Sequence, residues 1–119
     1  MQGLAGCSGA GAFNSTGIEW LLRNKGIETL VVAGMATDMC VETTVRMAGN
    51  MGFDTYLVPD CCATSNRIGW DGADYDPELV HDMTVANLNG EFCTALTVGD
   101  TLALIEGDAP HLDRVQGNE

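Results

Sequence analysis

Basic residues are scarce in this chain: five lysines and arginines stand against seventeen aspartates and glutamates, for a net charge of −12 over 119 residues. A surface of that sign repels phosphate backbones and anionic membrane surfaces, so neither nucleic acid nor a membrane is expected as a partner. Long hydrophobic runs are missing as well, and the longest present fall far short of the roughly 20 residues that a bilayer demands. No basic n-region followed by an apolar h-region opens the sequence, which is therefore expected to be cytoplasmic. Cys-x-x-Cys and His-x-x-x-His spacings do not occur, so a structural zinc site has no basis, and neither a metal nor a cofactor is expected. The five cysteines, Cys7, Cys40, Cys61, Cys62 and Cys93, are odd in number and read as reduced thiols rather than as a disulfide framework.

What is present is the composition of an ordinary globular domain, 45% hydrophobic and 18% charged. The length allows one domain over residues 1–119, with a real core but small for a doubly wound α/β enzyme. Residues 1–12 are small and glycine-rich and read as loop, and residues 106–119 read as a polar tail. Thr16-Gly17-Ile18-Glu19 has capping-box form, and Ile18, Leu21 and Leu22 carry a helix toward Gly26. Thr29 to Ala33 is a short β-branched run stopping at Gly34, the pattern of a strand buried on both faces. From Asp38 the period becomes helical, with Val41, Thr44, Val45 and Ala48 on one stripe and Gly52 closing the helix.

Phe53 to Val58 repeats the strand signal before Pro59, and residues 60–76 read as a long surface loop carrying Trp70 and Tyr75. Asp76-Pro77 opens a helix whose inner side is drawn by Leu79, Val80, Met83, Ala86 and Asn87. Phe92 to Val98 is a third strand, and Asp100 to Ile105 a short helix. Alternation of this type predicts an α/β fold: a parallel sheet of about three strands joined by right-handed crossovers, with helices on both faces. Leu30 to Ala33 would then form an apolar edge, which predicts a pairing partner.

Cys40 is the most chemically suggestive residue. An apolar strand halts at a glycine and delivers this cysteine to the first turn of a helix. The helix N-terminus carries roughly half a positive charge and unpaired N–H groups, which favour a thiolate and the oxyanion formed after its attack. Thr37 and Asp38 suit N-capping, while the Asp38 carboxylate opposes ionisation of the thiol.

Ala12-Phe13-Asn14-Ser15-Thr16-Gly17, the run LVVAGMATDMCVETTVRMAGNMGFDTYLVPDCCATS and the segment LVHDMTVANLNGEF together resemble the isochorismatase-like cysteine hydrolases, over about residues 11 to 105. The resemblance implies a Rossmann-like, isochorismatase-type fold of which this chain supplies about three strands of the usual six. It implies that Cys40 attacks an amide-type carbonyl, that Met35–Ala36 is a cis peptide, and that the N–H groups of Ala36 and Cys40 form the oxyanion hole. Phe13 matches a position that lines the substrate pocket. The family's general-base aspartate and supporting lysine come from its amino-terminal half. The lysine position falls at or near Cys7, Lys25 does not match it, and His81 and the loop aspartates align with no catalytic position.

Two functions follow. The first is hydrolysis of a small amide, ureide or related C–N compound through a Cys40 thioacyl intermediate. The second is a catalytically incomplete fragment or silent family member that acts by assembling with another chain. A small-molecule substrate and a homo-oligomer are expected in either case. For the remaining residues the plain structural readings apply: Cys61, Cys62 and Cys93 as small buried hydrophobes, and Met35, Met39, Met47, Met51 and Met83 as core filler. Trp70 and Tyr75 read as packing or interface residues, and His81 as a helix-surface or interface residue.

Overall fold

The structure, a computed structural model, describes residues 11–13 and 17–107. Thr16, Cys7, most of the glycine-rich loop and all but the first residues of the polar tail lie outside them. Four helices, α1 (Ile18–Asn24), α2 (Glu42–Asn50), α3 (Pro77–Leu88) and α4 (Val98–Glu106), alternate with strands β1 (Thr29–Met35), β2 (Asp54–Ala63) and β5 (Thr94–Ala95). A short antiparallel ribbon of β3 (Arg67–Ile68) and β4 (Asp74–Tyr75) interrupts the segment after β2.

The three longer-range strands form a sheet in the order β1-β2-β5, parallel throughout. β2 is its centre, and Thr55, Tyr56, Leu57 and Val58 are buried in succession because α2 and α4 both pack against this strand. β1 is an edge. Its Val32 is buried, but Ala33 and Met35 are exposed along the side where no strand of the described residues pairs.

Several elements depart from the sequence-based expectation. β2 does not stop at Pro59: Val32 pairs with Leu57, yet Gly34 pairs with Cys62, so two steps along β1 are matched by five along β2. Pro59 sits in the bulge thus created, where its missing N–H costs no ladder bond. The loop 60–76 contains the β3–β4 ribbon, and the third strand shrinks to two residues. Its final residues instead open α4, because Thr97 Oγ1 accepts from the Asp100 N–H (3.1 Å) and starts the helix early.

α2 and Val41 just before it present the expected stripe, with Val41, Thr44, Val45 and Ala48 all buried. Val41 and Val45 join Val32, Leu57, Leu88 and Cys93 in one core cluster, while Ala48 meets Ile18, Leu22 and Phe53 in a second beneath α1. α3 is rotated relative to expectation. Thr84 and Leu88 are buried, whereas Leu79, Met83, Ala86 and Asn87 are exposed. The helix is apolar on several sides, so periodicity did not single out a face; its contacts with α2 and with the turn before it did.

Residues 11 and 12 are buried rather than loose: the Ala12 N–H donates to Thr44 Oγ1 (2.9 Å), seating this segment on α2. The methionines also differ. Met35, Met39 and Met83 are exposed, and only Met47 and Met51 are partly covered. Cys61 is exposed on the bulge, Cys62 is half-buried and Cys93 is buried.

Gly49 marks the closest approach between α2 and the chain leading to β5. A Cβ there would stand 2.6 Å from the Phe92 carbonyl oxygen, a backbone atom that cannot rotate aside. Alanine inside a helix normally gains about 1 kcal/mol over glycine. Here overpacking outweighs that gain, and Gly49→Ala should lower stability by about 1–3 kcal/mol, measured as a lower urea midpoint. Asn50→Ala, at the exposed neighbouring position, should leave the midpoint nearly unchanged.

Candidate active site

The site is built where β1 becomes α2. Gly34 takes φ +138°, a conformation L side chains rarely adopt, and the Met35–Ala36 peptide that follows is cis. Residues Thr37–Val41 then wind as a π-helical turn continuous with α2. The Ala36 carbonyl accepts from both the Met39 N–H (3.0 Å) and the Val41 N–H (3.3 Å). The second of these is the wide i→i+5 bond that distinguishes the turn from an ordinary α start, and such turns cluster at functional sites. Cys40 lies within it, half-buried, at the positive end of the helix dipole.

Two clamps fix the turn, one from α3 and one from the residues after β2. Thr37 is fully buried, and its Oγ1 lies 2.9 Å from His81 Nδ1 on α3, so the two share a hydrogen bond. Asp38, next along, is gripped by the Arg67 guanidinium through Nε to Oδ2 (2.5 Å) and Nη2 to Oδ1 (2.9 Å). Thr64 Oγ1 donates to the same carboxylate at 2.6 Å. Burial pushes the Asp38 carboxyl up, but the hydrogen bonds from Arg67 and Thr64 outweigh it and hold the group below the usual carboxylate range. The hydrogen bond with Asp38 in turn raises the guanidinium of Arg67.

The expected opposition between Asp38 and a Cys40 thiolate is thus altered by a cation that sequence reasoning did not connect to the site. Neither Arg67 nor His81 was picked out; each reaches the turn only through folding, across 29 and 44 residues of sequence. The ATS run before Arg67 supplies Thr64, and that triplet was the available signal for the first of these contacts.

Other sulfurs differ from Cys40 in setting. Burial pushes the Cys93 thiol up to about 12 and raises that of Cys62, although a backbone hydrogen bond from Gly34 acts against the latter rise. The Phe13 ring packs against Phe53, centroids 6.0 Å apart, at the cluster beneath α1. Lys25 follows the C-terminus of α1. Among the described residues no three His, Cys, Asp or Glu side chains gather as a metal site.

Comparison with known proteins agrees with this architecture. The family model described as the isochorismatase domain matches residues 8–100. The isochorismatase family protein YrdC of Bacillus subtilis is 41% identical over 86 residues, which is 72% of this chain and 46% of that protein. The ureidoacrylate amidohydrolase RutB of Agrobacterium fabrum is 31% identical over 104 residues, 87% of this chain and 41% of that protein. A crystal structure of an isochorismatase-family protein from Chromobacterium violaceum superposes with a TM-score of 0.78 at 45% identity, covering 82% of this chain and 50% of that one. The chain therefore spans about half the length of the relatives it matches. A strand ending at Met35, a π-turned helix start bearing Cys40 and the domain match across residues 8–100 make this chain a member of the isochorismatase family.

Proposed function

We propose that the chain carries the nucleophile of a cysteine amidohydrolase that acts on a small amide, ureide or related C–N compound. The observation that carries this reading is the position of Cys40 in the first turn of a helix whose residues are clamped on both sides. The Cys40 sulfur adds to the carbonyl carbon, the amine leaves with a proton, and water then cleaves the thioester to release the acid and restore the thiol. The N–H groups of Ala36 and Cys40 are the donors assigned to the oxyanion, with the cis bond between Met35 and Ala36 orienting the first. Phe13 is assigned to the substrate pocket. The chemistry needs a reduced thiol, in keeping with a cytoplasmic setting, and no described helix is long and apolar enough to cross a membrane. A relative's name, ureidoacrylate amidohydrolase, supports the substrate class.

A second reading, a catalytically incomplete member that works by assembling with another chain, is favoured by a specific observation. The two carboxylates nearest in sequence to Cys40 are both committed, Asp38 to Arg67 and Thr64 and Glu42 to Arg46, and the described lysine, Lys25, caps the C-terminus of α1. General acid–base help is typically worth about 10²–10⁴ in rate, so a cysteine without it turns over poorly. The open β1 edge gives the same reading a surface for assembly, and a homo-oligomer is its simplest form.

The two readings separate in an ammonia-release assay over a panel of small amides. The isolated 119-residue chain should release none, and a version extended by a family-type amino-terminal half should turn over, with activity lost in Cys40→Ala. Robust turnover by the isolated chain, abolished by Cys40→Ala, would sink the second reading. Sedimentation at micromolar concentration should show species heavier than 12.6 kDa, and a lone 12.6 kDa boundary counts against assembly.

A further inference from the structure

Arg67 is the feature of the site that the family assignment leaves without a task. It stands at the start of the β3–β4 ribbon, and its side chain is only 30% exposed where a surface arginine would ordinarily extend into water. All three of its nitrogens are used. Nε and Nη2 take the two oxygens of Asp38 in a fork, Nη2 also reaches Thr64 Oγ1 (3.2 Å), and Nη1 binds Ser65 Oγ (3.0 Å) and the Asn66 carbonyl (3.3 Å). The Asp38 side chain it meets is 13% exposed, so the pair is largely withdrawn from solvent. Asp38 lies two residues before Cys40 on the same π turn. A bare carboxylate held there would oppose the thiolate and cancel part of what the helix dipole provides.

We propose that Arg67 is a positioning residue for Cys40: its guanidinium neutralises and orients the Asp38 carboxylate, so that the first turn of α2 keeps a net field favourable to the thiolate. The inference rests on Cys40 being the nucleophile. Other ionisable groups on the elements packed against the turn have their own partners. Glu42 on α2 pairs with Arg46 (2.9 Å), His81 on α3 is bonded to Thr37, Asp60 on β2 accepts from the Val98 N–H (3.3 Å), and Cys62 on β2 donates to the Val58 carbonyl (3.4 Å). Arg67 is the cation that these contacts bring to Asp38, and a lysine could not reproduce its fork.

The test is the pH profile of Cys40 alkylation by iodoacetamide, followed by peptide mapping of the intact 119-residue chain, with exposed Cys61 as the internal comparison. Arg67→Ala should raise the midpoint for Cys40 by roughly 0.5–1 pH unit, slowing its alkylation about three- to tenfold at neutral pH, and leave Cys61 unmoved. Removing the charge it was neutralising, in the double variant Asp38→Asn with Arg67→Ala, should return the midpoint to the wild-type value. An unchanged midpoint in Arg67→Ala overturns the proposal, and so does an equal rise in the double variant, which would mean that only shape was lost. Should Arg67→Ala not fold, Asp38→Asn alone decides: the released guanidinium should hold or lower the midpoint, and a rise overturns the proposal. A wild-type Cys40 midpoint no lower than that of Cys61 would instead count against Cys40 as the nucleophile, whatever the variants show.

Discussion

Everything distinctive in this molecule depends on how one turn is held. Between Gly34 and Val41 the backbone leaves a strand through a glycine at φ +138° and winds into a π-helical start, two conformations that residues with side chains rarely take by local preference. They persist because the surroundings are specified in several directions at once. Thr37 is anchored to α3 through His81, Asp38 to the residues after β2 through Arg67 and Thr64, and Val41 to the core cluster with Val45 and Leu57. Gly34 and Met35 are bound to β2 by a register that skips three residues of the partner strand. Each neighbour of the turn belongs to a different element, so the turn is also what ties those elements together.

The shift in register shows how geometry at the sheet serves the site. Had β2 ended at Pro59, its pairing with β1 would have stopped at Val32, leaving Gly34 and Met35 without strand partners just before the turn that carries Cys40. The bulge around Pro59 lets β2 resume beside them at Cys62 and Ala63, and the same strand then delivers Thr64 and Arg67 to Asp38. A single irregularity thus both steadies the end of β1 and brings the cation to the carboxylate.

How much of this was legible in the sequence depends on the range of the interaction. The α2 stripe of Val41, Thr44, Val45 and Ala48 was readable because one face is apolar and the other is not. Glycine at the close of α1 and α2 was readable for the same local reason, and both Gly26 and Gly52 take positive φ, at 71° and 90°. The inner face of α3 was not, since Leu79, Val80, Met83, Val85 and Leu88 leave no clear polar side; tertiary contact chose among them. Arg67 and His81 were invisible as site residues because a hydrogen bond across 29 or 44 positions leaves no periodic trace. The placement of Cys40 at a helix start was legible for the opposite reason, its strand, glycine and helix start being contiguous. The methionines misled because their apolarity says nothing about whether a partner surface is present to cover them.

That last point bears on the site. Met35 is 71% exposed and Met39 49%, and both adjoin the residues that hold Cys40. They continue an edge strand whose Ala33 is also uncovered. Single exposed apolar residues call for no explanation, but Ala33, Met35 and Met39 lie close together in sequence, from the edge strand β1 into the turn that precedes α2. A strand that paired with β1 would lie beside Met35, which directly precedes the turn that carries Cys40. The clamps on Thr37 and Asp38 and the register shift in β2 hold the turn from within the chain itself, whatever lies against the open edge of β1.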